Sequence, residues 1–484
     1  MRREHIVEQL EGMGQGRRPA WHEAVVAYLE RWVPRVLHKM LGRRCRYGWL
    51  AARFERFHER SLARLVDAAS HASLEPRAFD STLILQSIAN LGPGGAERQL
   101  VYSLLGIRAL GRYNVGVLCQ SLQGRNADFF ASDLRQGGVE VHELHAMNGT
   151  APPLEGAGAL SPLWRTGWDG NAFGRSILDY MRVLRRLRPR VLHTRLDALN
   201  VRAGLAGVLV GVPRIVIGLE TLPPVHFDFF QPFMRPIYRF LCAQPNVVFV
   251  CNSKAGARLY ARWLGVDERQ ISVLYNGVPW PDASAYSEGR AAVRARLGIP
   301  ASAAVVGSVM RLSSEKRPLL WLSIAAEMAR RRSDVFFIVV GGGVLERSVR
   351  AEARRLGLTD RLVLTGVTTD PLRLMSAMDL FLLTSSREGL PNVLLEAQSL
   401  GLPVAAPPVG GVPEAMACGR SGMLLSSSCP EPCAEQILDA LADESWMRTA
   451  RREGAEFVRA FSMDRMIRET LQLYEIRPDA VAHP

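Results

Sequence analysis

Leu380-Phe-Leu-Leu-Thr-Ser-Ser-Arg-Glu388-Gly-Leu-Pro-Asn-Val-Leu-Leu-Glu396 is the stretch on which the fold turns. Leu380 to Thr384 form a short apolar run with no polar alternation, the texture of a strand buried on both faces. A polar loop follows, and Pro391 fits the first position of a helix, where its missing N–H would have had no partner. The amides of Asn392 and Val393 are then unpaired and point back toward the strand end, where an anion or a polar ligand can bind. Gly389 lets the backbone approach that ligand closely, and Leu390 and Val393 are further candidates for binding it. Glu388 falls in the loop and Glu396 inside the helix, about 12 Å apart were the helix continuous. Two carboxylates so spaced can grip two parts of one ligand.

Outward from this unit the same alternation of strand and helix repeats. Strands are expected at Val305–Val309, Phe336–Val340, Leu362–Thr365 and Pro403–Ala406, with helical segments between them. Alternation of this kind specifies a parallel sheet covered by helices, whose ligands lie beyond the carboxyl ends of the strands. All five strand ends carry special residues: Arg311 with Lys316, Gly341-Gly342-Gly343, Gly366 with Val367, Glu388 with Gly389, and Gly410 with Gly411. Arg311 offers a bidentate guanidinium and Lys316 a point charge, a combination that suits a diphosphate. A surface ion pair with Glu315 is the plainer alternative for Lys316. Pro318 marks the start of the next helix.

Residues 82 to 274 show the same texture. Strands are expected at Thr82–Ser87, Val115–Leu118, Val139–Leu144, Val191–Thr194, Arg214–Ile217, Val247–Cys251 and Ile271–Leu274. The first is followed by the glycine turn Asn90-Leu-Gly-Pro-Gly94-Gly95-Ala-Glu97 and a helix from about Ala96. Residues 151–170 read as a long loop rich in Pro, Gly and Trp, and 279–287 as a linker. The fold class is therefore α/β, with two successive doubly wound Rossmann-like domains. Before them, residues 1–78 read as helices, with Leu50, Phe54, Phe57, Leu62 and Leu65 on one face beside the stripe Arg53, Arg56, Arg60 and Arg64. Such a basic amphipathic helix either packs on the body or, through residues 43–65, lies on an anionic membrane surface.

The composition narrows the classes. A net charge of +13 on 484 residues implies attraction to anions. Only Lys39, Lys254 and Lys316 among the 60 basic residues are lysines, so the position of a lysine carries information. Seven cysteines without a regular framework fit a reducing compartment. No apolar span or secretory leader is evident, so a cytoplasmic protein, peripheral at the inner membrane face, is expected.

Arg311 with Glu315-Lys316, the glycines after Val340, Glu388-Gly-Leu-Pro-Asn with Glu396, and Gly410-Gly-Val-Pro-Glu414 together resemble the retaining glycosyltransferases of family 4, which have the GT-B fold. The resemblance covers roughly residues 82–475. It implies domains at 79–284 (acceptor side) and 285–465 (nucleotide-sugar donor), with a helix at 466–484 crossing back to the first. It implies that Arg311 and Lys316 hold a donor diphosphate, that Glu388 contacts the transferred sugar and Glu396 the ribose, and that Gly366 and Val367 lie by the base. The loop with Gly94 and Gly95 resembles the family's phosphate-approaching glycine turn. Neither metal nor cofactor is implied, the nucleotide sugar being a substrate. The family often carries a histidine after the strand represented by Arg214–Ile217, where this chain has Gly218-Leu-Glu220-Thr; Glu220 or His226 then stands on the acceptor side, and His193 is a third candidate. A fainter resemblance around Pro223-Pro-Val-His-Phe-Asp-Phe-Phe is to transferases of capsule synthesis, the Vi-antigen type among them. The reading is sugar transfer, with retention, to a surface polysaccharide or lipid-linked glycan. A nucleotide-sugar epimerase on the same fold and a non-enzymatic binder of anionic polymers are the alternatives. Nucleic acid is not an expected partner, because the basic residues are spread widely and no stacking module is visible.

Overall fold

The computed structural model describes residues 58–60, 62–63, 66–67, 78–124, 126–149, 172–227, 229–231, 233–280 and 289–475. The loop at 151–170 and the tail beyond 475 lie outside these residues. So do most of the expected basic helix and of the 279–287 linker. The chain divides into two compact units, 1–74 with 154–178, and 75–153 with 179–484. Among the described residues no helix is long and apolar enough to cross a membrane.

Both sheets belong to the second unit. The first contains β1 (Asp80–Ile88), β2 (Asn114–Cys119), β3 (Glu140–Glu143), β4 (Pro189–Arg195), β5 (Arg214–Leu219), β6 (Val247–Cys251) and β7 (Ile271–Val273). The second contains β8 (Ala304–Val309), β9 (Val335–Val340), β10 (Leu362–Gly366), β11 (Leu380–Leu382), β12 (Val404–Ala406) and β13 (Gly422–Leu424). Their orders are β3-β2-β1-β4-β5-β6-β7 and β10-β9-β8-β11-β12-β13. The paired strands run parallel in both. Each chain path reverses direction once, between β1 and β4 in one sheet and between β8 and β11 in the other, which creates the crevice where open parallel sheets take their ligands.

The second sheet is buried on both faces, and the alternation of side chains shows it. Val305, Ile338, Val340, Phe381, Val404 and Ala406 enter one apolar cluster. Val306, Phe337, Val339, Leu380, Leu382 and Ala405, the residues between them, enter the other. A strand with a period of two and helices on both sides must be apolar at every position, hence the continuous runs in the sequence.

Six helices matter for the site: α1 (Gly95–Ala109), α2 (Asp197–Leu209), α3 (Lys254–Leu264), α4 (Pro318–Arg331), α5 (Asn392–Ser399) and α6 (Met463–Tyr474). α6 returns to the first sheet's helices. Gly106 of α1 leaves room for Ile467, since a Cβ there would lie 2.1 Å from the Ile467 Cδ1. The Tyr474 hydroxyl accepts from Gln86 Nε2 at 3.0 Å and lies 2.8 Å from His193 Nδ1.

Two details depart from the expected elements. β13 was not anticipated: its three residues are held as an edge strand by pairing with β12. β11 ends at Leu382, two residues early, because the Thr384 side chain turns to the Lys316 carbonyl at 2.9 Å.

Candidate active site

The second sheet's reversal point brings the loops after β8 and β11 side by side. After β8 the chain makes a single tight turn at Ser314–Lys316, and Arg317 takes a left-handed conformation (φ 53°) before Pro318 starts α4. Ser386 N donates to the Glu315 carbonyl at 2.8 Å, so this turn is fastened to the loop that precedes Glu388. Lys316 Nζ then donates to Glu388 Oε1 at 2.6 Å. Glu388 is 7% exposed. A carboxylate so buried needs a charged partner, and Lys316 supplies it from the neighbouring strand end. The anticipated alternative for Lys316, a pair with Glu315, is not what forms; the Glu315 carboxylate instead accepts from Ser313 Oγ at 2.6 Å.

Glycines let these loops touch. Gly410 has φ +53°, and a Cβ there would sit 1.9 Å from the Glu388 carbonyl oxygen. Gly411 donates its amide to the Gly389 carbonyl at 2.9 Å. On the other side Gly341, at φ +126°, makes room for the Met310 carbonyl, which a Cβ would approach to 2.0 Å. Leu312 N reaches the Gly342 carbonyl at 2.9 Å. The glycine run after β9 thereby fixes the backbone on either side of Arg311, whose side chain stays exposed. A Cβ on Gly342 would touch Val367 Cγ2 at 3.1 Å, so the ends of β9 and β10 form one wall with the exposed Val367 on it. The Gly366 carbonyl accepts from Gly341 N at 2.8 Å.

Pro391 is displaced by one place from expectation. It is the cap residue (φ −77°, ψ 100°), Asn392 is the first residue of α5, and Leu394 N bonds back to the Pro391 carbonyl at 3.1 Å. Leu390, expected in the donor set, turns its side chain into the apolar core, and Val393 packs against the same cluster. Burial of their apolar surface explains both, and it leaves their backbone as what they can offer a ligand. Asn392 and Glu396 face the first sheet's elements. Asn276 Nδ2 donates to Asn392 Oδ1 at 2.6 Å, and Asn392 Nδ2 lies 3.4 Å from the Gly95 carbonyl. Arg98 Nη1 donates to Glu396 Oε1 at 2.9 Å.

On the opposite wall, Gly94 precedes α1 and lies under the Glu97 carboxylate, which a Cβ at Gly94 would meet at 2.0 Å. Burial raises the Glu97 pKa; attraction by Arg311 works against the rise, and the Glu220 charge adds to it. Glu97, Glu220 and Arg311 therefore share one electrostatic neighbourhood. Glu220 is held by Arg195 Nη1 at 2.5 Å, and its carbonyl accepts from Asn252 Nδ2 at 3.0 Å. Gly389 seats against this pair, since a Cβ on it would lie 2.5 Å from the Glu220 carbonyl oxygen and 2.8 Å from Asn252 Oδ1. His226 is exposed in the short turn Pro224–His226, and Arg387 donates to its carbonyl. His193 lies beside Tyr474, and burial pushes its pKa well below 6.5, which favours the neutral imidazole.

Arg98 and Arg195 did not emerge from the sequence, whereas Asn252 and Asn276 lie in the strand end Cys251-Asn-Ser-Lys254 and in Tyr275-Asn-Gly277 before the linker, both of which resemble the family in kind. One arginine among 57 gives no signal. The run Gly-Gly-Ala-Glu-Arg after β1 was the one cue, because its spacing places Arg98 one turn into α1.

Comparison with known proteins follows the same two halves. Residues 289–457 match the family described as glycosyl transferases group 1, and residues 93–279 match glycosyltransferase family 4. A Vi polysaccharide biosynthesis protein of Salmonella typhi, VipC/TviE, is 31% identical over 368 residues, which is 70% of this chain and 61% of that protein. The chain thus spans about three-fifths of that relative's length. The 2-deoxystreptamine glucosyltransferase of Streptomyces kanamyceticus is 30% identical over 58% of this chain and 76% of its own. The crystal structure of HepE from Anabaena in complex with UDP-glucose has the same fold, with a TM-score of 0.65 at 22% identity, over 81% of this chain and 98% of that one.

Proposed function

Because this chain belongs to the glycosyltransferases of group 1 and family 4, we propose that it moves a sugar from a nucleoside diphosphate to a hydroxyl of a surface polysaccharide or lipid-linked glycan, with the anomeric configuration retained. The observation that carries this reading is the Lys316–Glu388 pair at 2.6 Å, set at the reversal point of the donor-side sheet. Cleavage of the bond between the sugar and the diphosphate leaves negative charge on the departing phosphate. Lys316, Arg311 and the unpaired amides at the start of α5 are the groups that would stabilise it, and charge stabilisation in place before the reaction accelerates such a step strongly. Glu388, oriented by Lys316, would accept hydrogen bonds from the transferred sugar. Retention by attack on the face the diphosphate leaves brings the acceptor hydroxyl beside the departing oxygen, which takes its proton. That chemistry needs neither a metal nor a cofactor.

Glu396 would hold the ribose, while Gly366 and Val367 would lie against the base. Gly94 and Gly95 leave the backbone of the opposite wall free to approach the phosphates. Glu220, fixed by Arg195, is the acceptor-side group. The Anabaena neighbour's complex with UDP-glucose makes uridine donors the first to try. The Salmonella relative's part in Vi polysaccharide synthesis supports a surface polysaccharide as the product. The decisive variant is Glu388→Gln, assayed against a panel of nucleotide sugars. Nucleoside diphosphate binding is expected to persist while turnover falls by at least about 100-fold. Undiminished turnover overturns the assignment.

A further inference from the structure

The first turns of α1 and α5 face each other, and the residues that meet recur at helical spacing. Gly95 and Arg98 stand three apart on α1, and Asn392 and Glu396 stand four apart on α5, so each pair shares one face. The upper contact is Asn392 Nδ2 to the Gly95 carbonyl, and the lower is Arg98 Nη1 to Glu396 Oε1. The Glu396 side chain is 4% exposed. Only one of its two oxygens is used: Oε2 is buried and finds no hydrogen-bond partner among the described residues. A buried carboxylate oxygen left without a donor is costly, so such an atom marks a place for a ligand hydroxyl.

We propose that Arg98 is a positioning residue for the donor nucleoside: by holding Oε1 of Glu396 it aims Oε2 into the crevice as the acceptor for a ribose hydroxyl. The inference rests on the reading of Glu396 as the ribose-holding residue. Arg98 also supplies the counter-charge that a carboxylate with little access to water requires. Its consequence is conformational. Arg98 belongs to the first sheet's domain and Glu396 to the second's, so the ribose is gripped fully only when the two walls are together. A nucleotide bound to an open crevice would keep its diphosphate and base contacts and lose the aimed contact to its ribose.

Ribose discrimination is the readout that a merely structural Arg98 would not move. The probes are UDP, GDP and ADP; the one that wild-type protein binds most tightly by calorimetry is compared with its 2′-deoxy and 2′,3′-dideoxy counterparts. Wild type is expected to prefer the ribonucleotide by about tenfold or more, the value of a hydrogen bond to a charged group. In Arg98→Gln the preference should shrink to about threefold or less, while affinity for inorganic pyrophosphate, which has no ribose, is kept within about twofold. Arg98→Lys should retain an intermediate preference. Arg98→Met keeps the packing of the stem and carries the same test where the glutamine variant does not fold. Undiminished discrimination in both uncharged variants overturns the role of Arg98 while leaving the ribose reading intact. Absence of discrimination in wild type overturns the ribose reading and this inference with it.

Discussion

At the scale of the residue, three buried carboxylates in this chain have three different fates, set by what stands next to them. Glu388 has a lysine, Glu396 has an arginine and one idle oxygen, and Asp197 has no cation bonded to it among the described residues. Asp197, at the start of α2, accepts the hydroxyls of Tyr238 at 2.6 Å and Tyr260 at 2.8 Å on one oxygen. Burial raises its pKa from 3.8 to about 6, more than the two hydroxyls can lower it. The folded chain therefore binds more protons than the unfolded one between about pH 4 and pH 6. Its stability contribution is greatest below the unfolded value and is lost as pH rises through the folded one, by about 3 kcal/mol. Asp197→Asn keeps an oxygen for both hydroxyls and removes the charge. Urea unfolding at pH 4 and pH 7 should show wild type losing that amount relative to the variant, and parallel pH dependence would sink the argument. The sequence marked Glu388 and Glu396 by their place after a strand and a glycine. It could not rank Asp197, because burial is not written in a residue's neighbours.

At the scale of the element, the N-terminus of α3 shows how one half of the crevice holds the other. Ser253 caps the helix by accepting from Gly256 N at 3.1 Å. The next two orphan amides, Lys254 N and Ala255 N, donate to Glu414 at 2.8 and 2.7 Å, and the Tyr275 hydroxyl donates to the same carboxylate at 2.9 Å. Burial, with Glu414 beside it, pushes Tyr275 up to about 12, so the phenol stays a donor throughout the physiological range. A carboxylate at a helix start is favoured by the aligned peptide dipoles as well as by its hydrogen bonds. Glu414→Gln replaces one accepting oxygen with an amide that faces backbone N–H groups. It should lower the unfolding free energy by about 1–3 kcal/mol, with weaker donor binding, and an unchanged denaturation midpoint would contradict this. The Gly410-Gly-Val-Pro-Glu414 motif was legible as a strand-end feature. Its division of labour was not: Gly410 and Gly411 serve the Glu388 loop, whereas Glu414 serves a helix 160 residues earlier in the chain.

At the scale of the whole molecule, every contact of the crevice lies within residues 75–153 and 179–484, the unit that holds both sheets. The basic segment at 43–65 falls in the other unit, and its expected seat on an anionic membrane surface is tested by removing it. Deleting residues 1–70 is expected to abolish recovery with anionic vesicles in a flotation assay while leaving nucleotide affinity unchanged, and equal recovery of both proteins would remove the membrane reading. The sequence by itself determined the two parallel sheets, because strands covered on both faces must be apolar at every position and their helices must follow in alternation. It determined the glycine-bearing loops at the strand ends too, since close backbone approach demands glycine. Only the tertiary structure decided which of those loops meet and what closes the crevice from the other side. Lys316 reaches Glu388 across the reversal between β8 and β11, Glu220 is held by Arg195, and Arg98 claims one oxygen of Glu396. These pairs are separated by 72, 25 and 298 positions. Helical or strand periodicity relates residues within one element, whereas contacts between elements are fixed by the order in which the strands lie side by side.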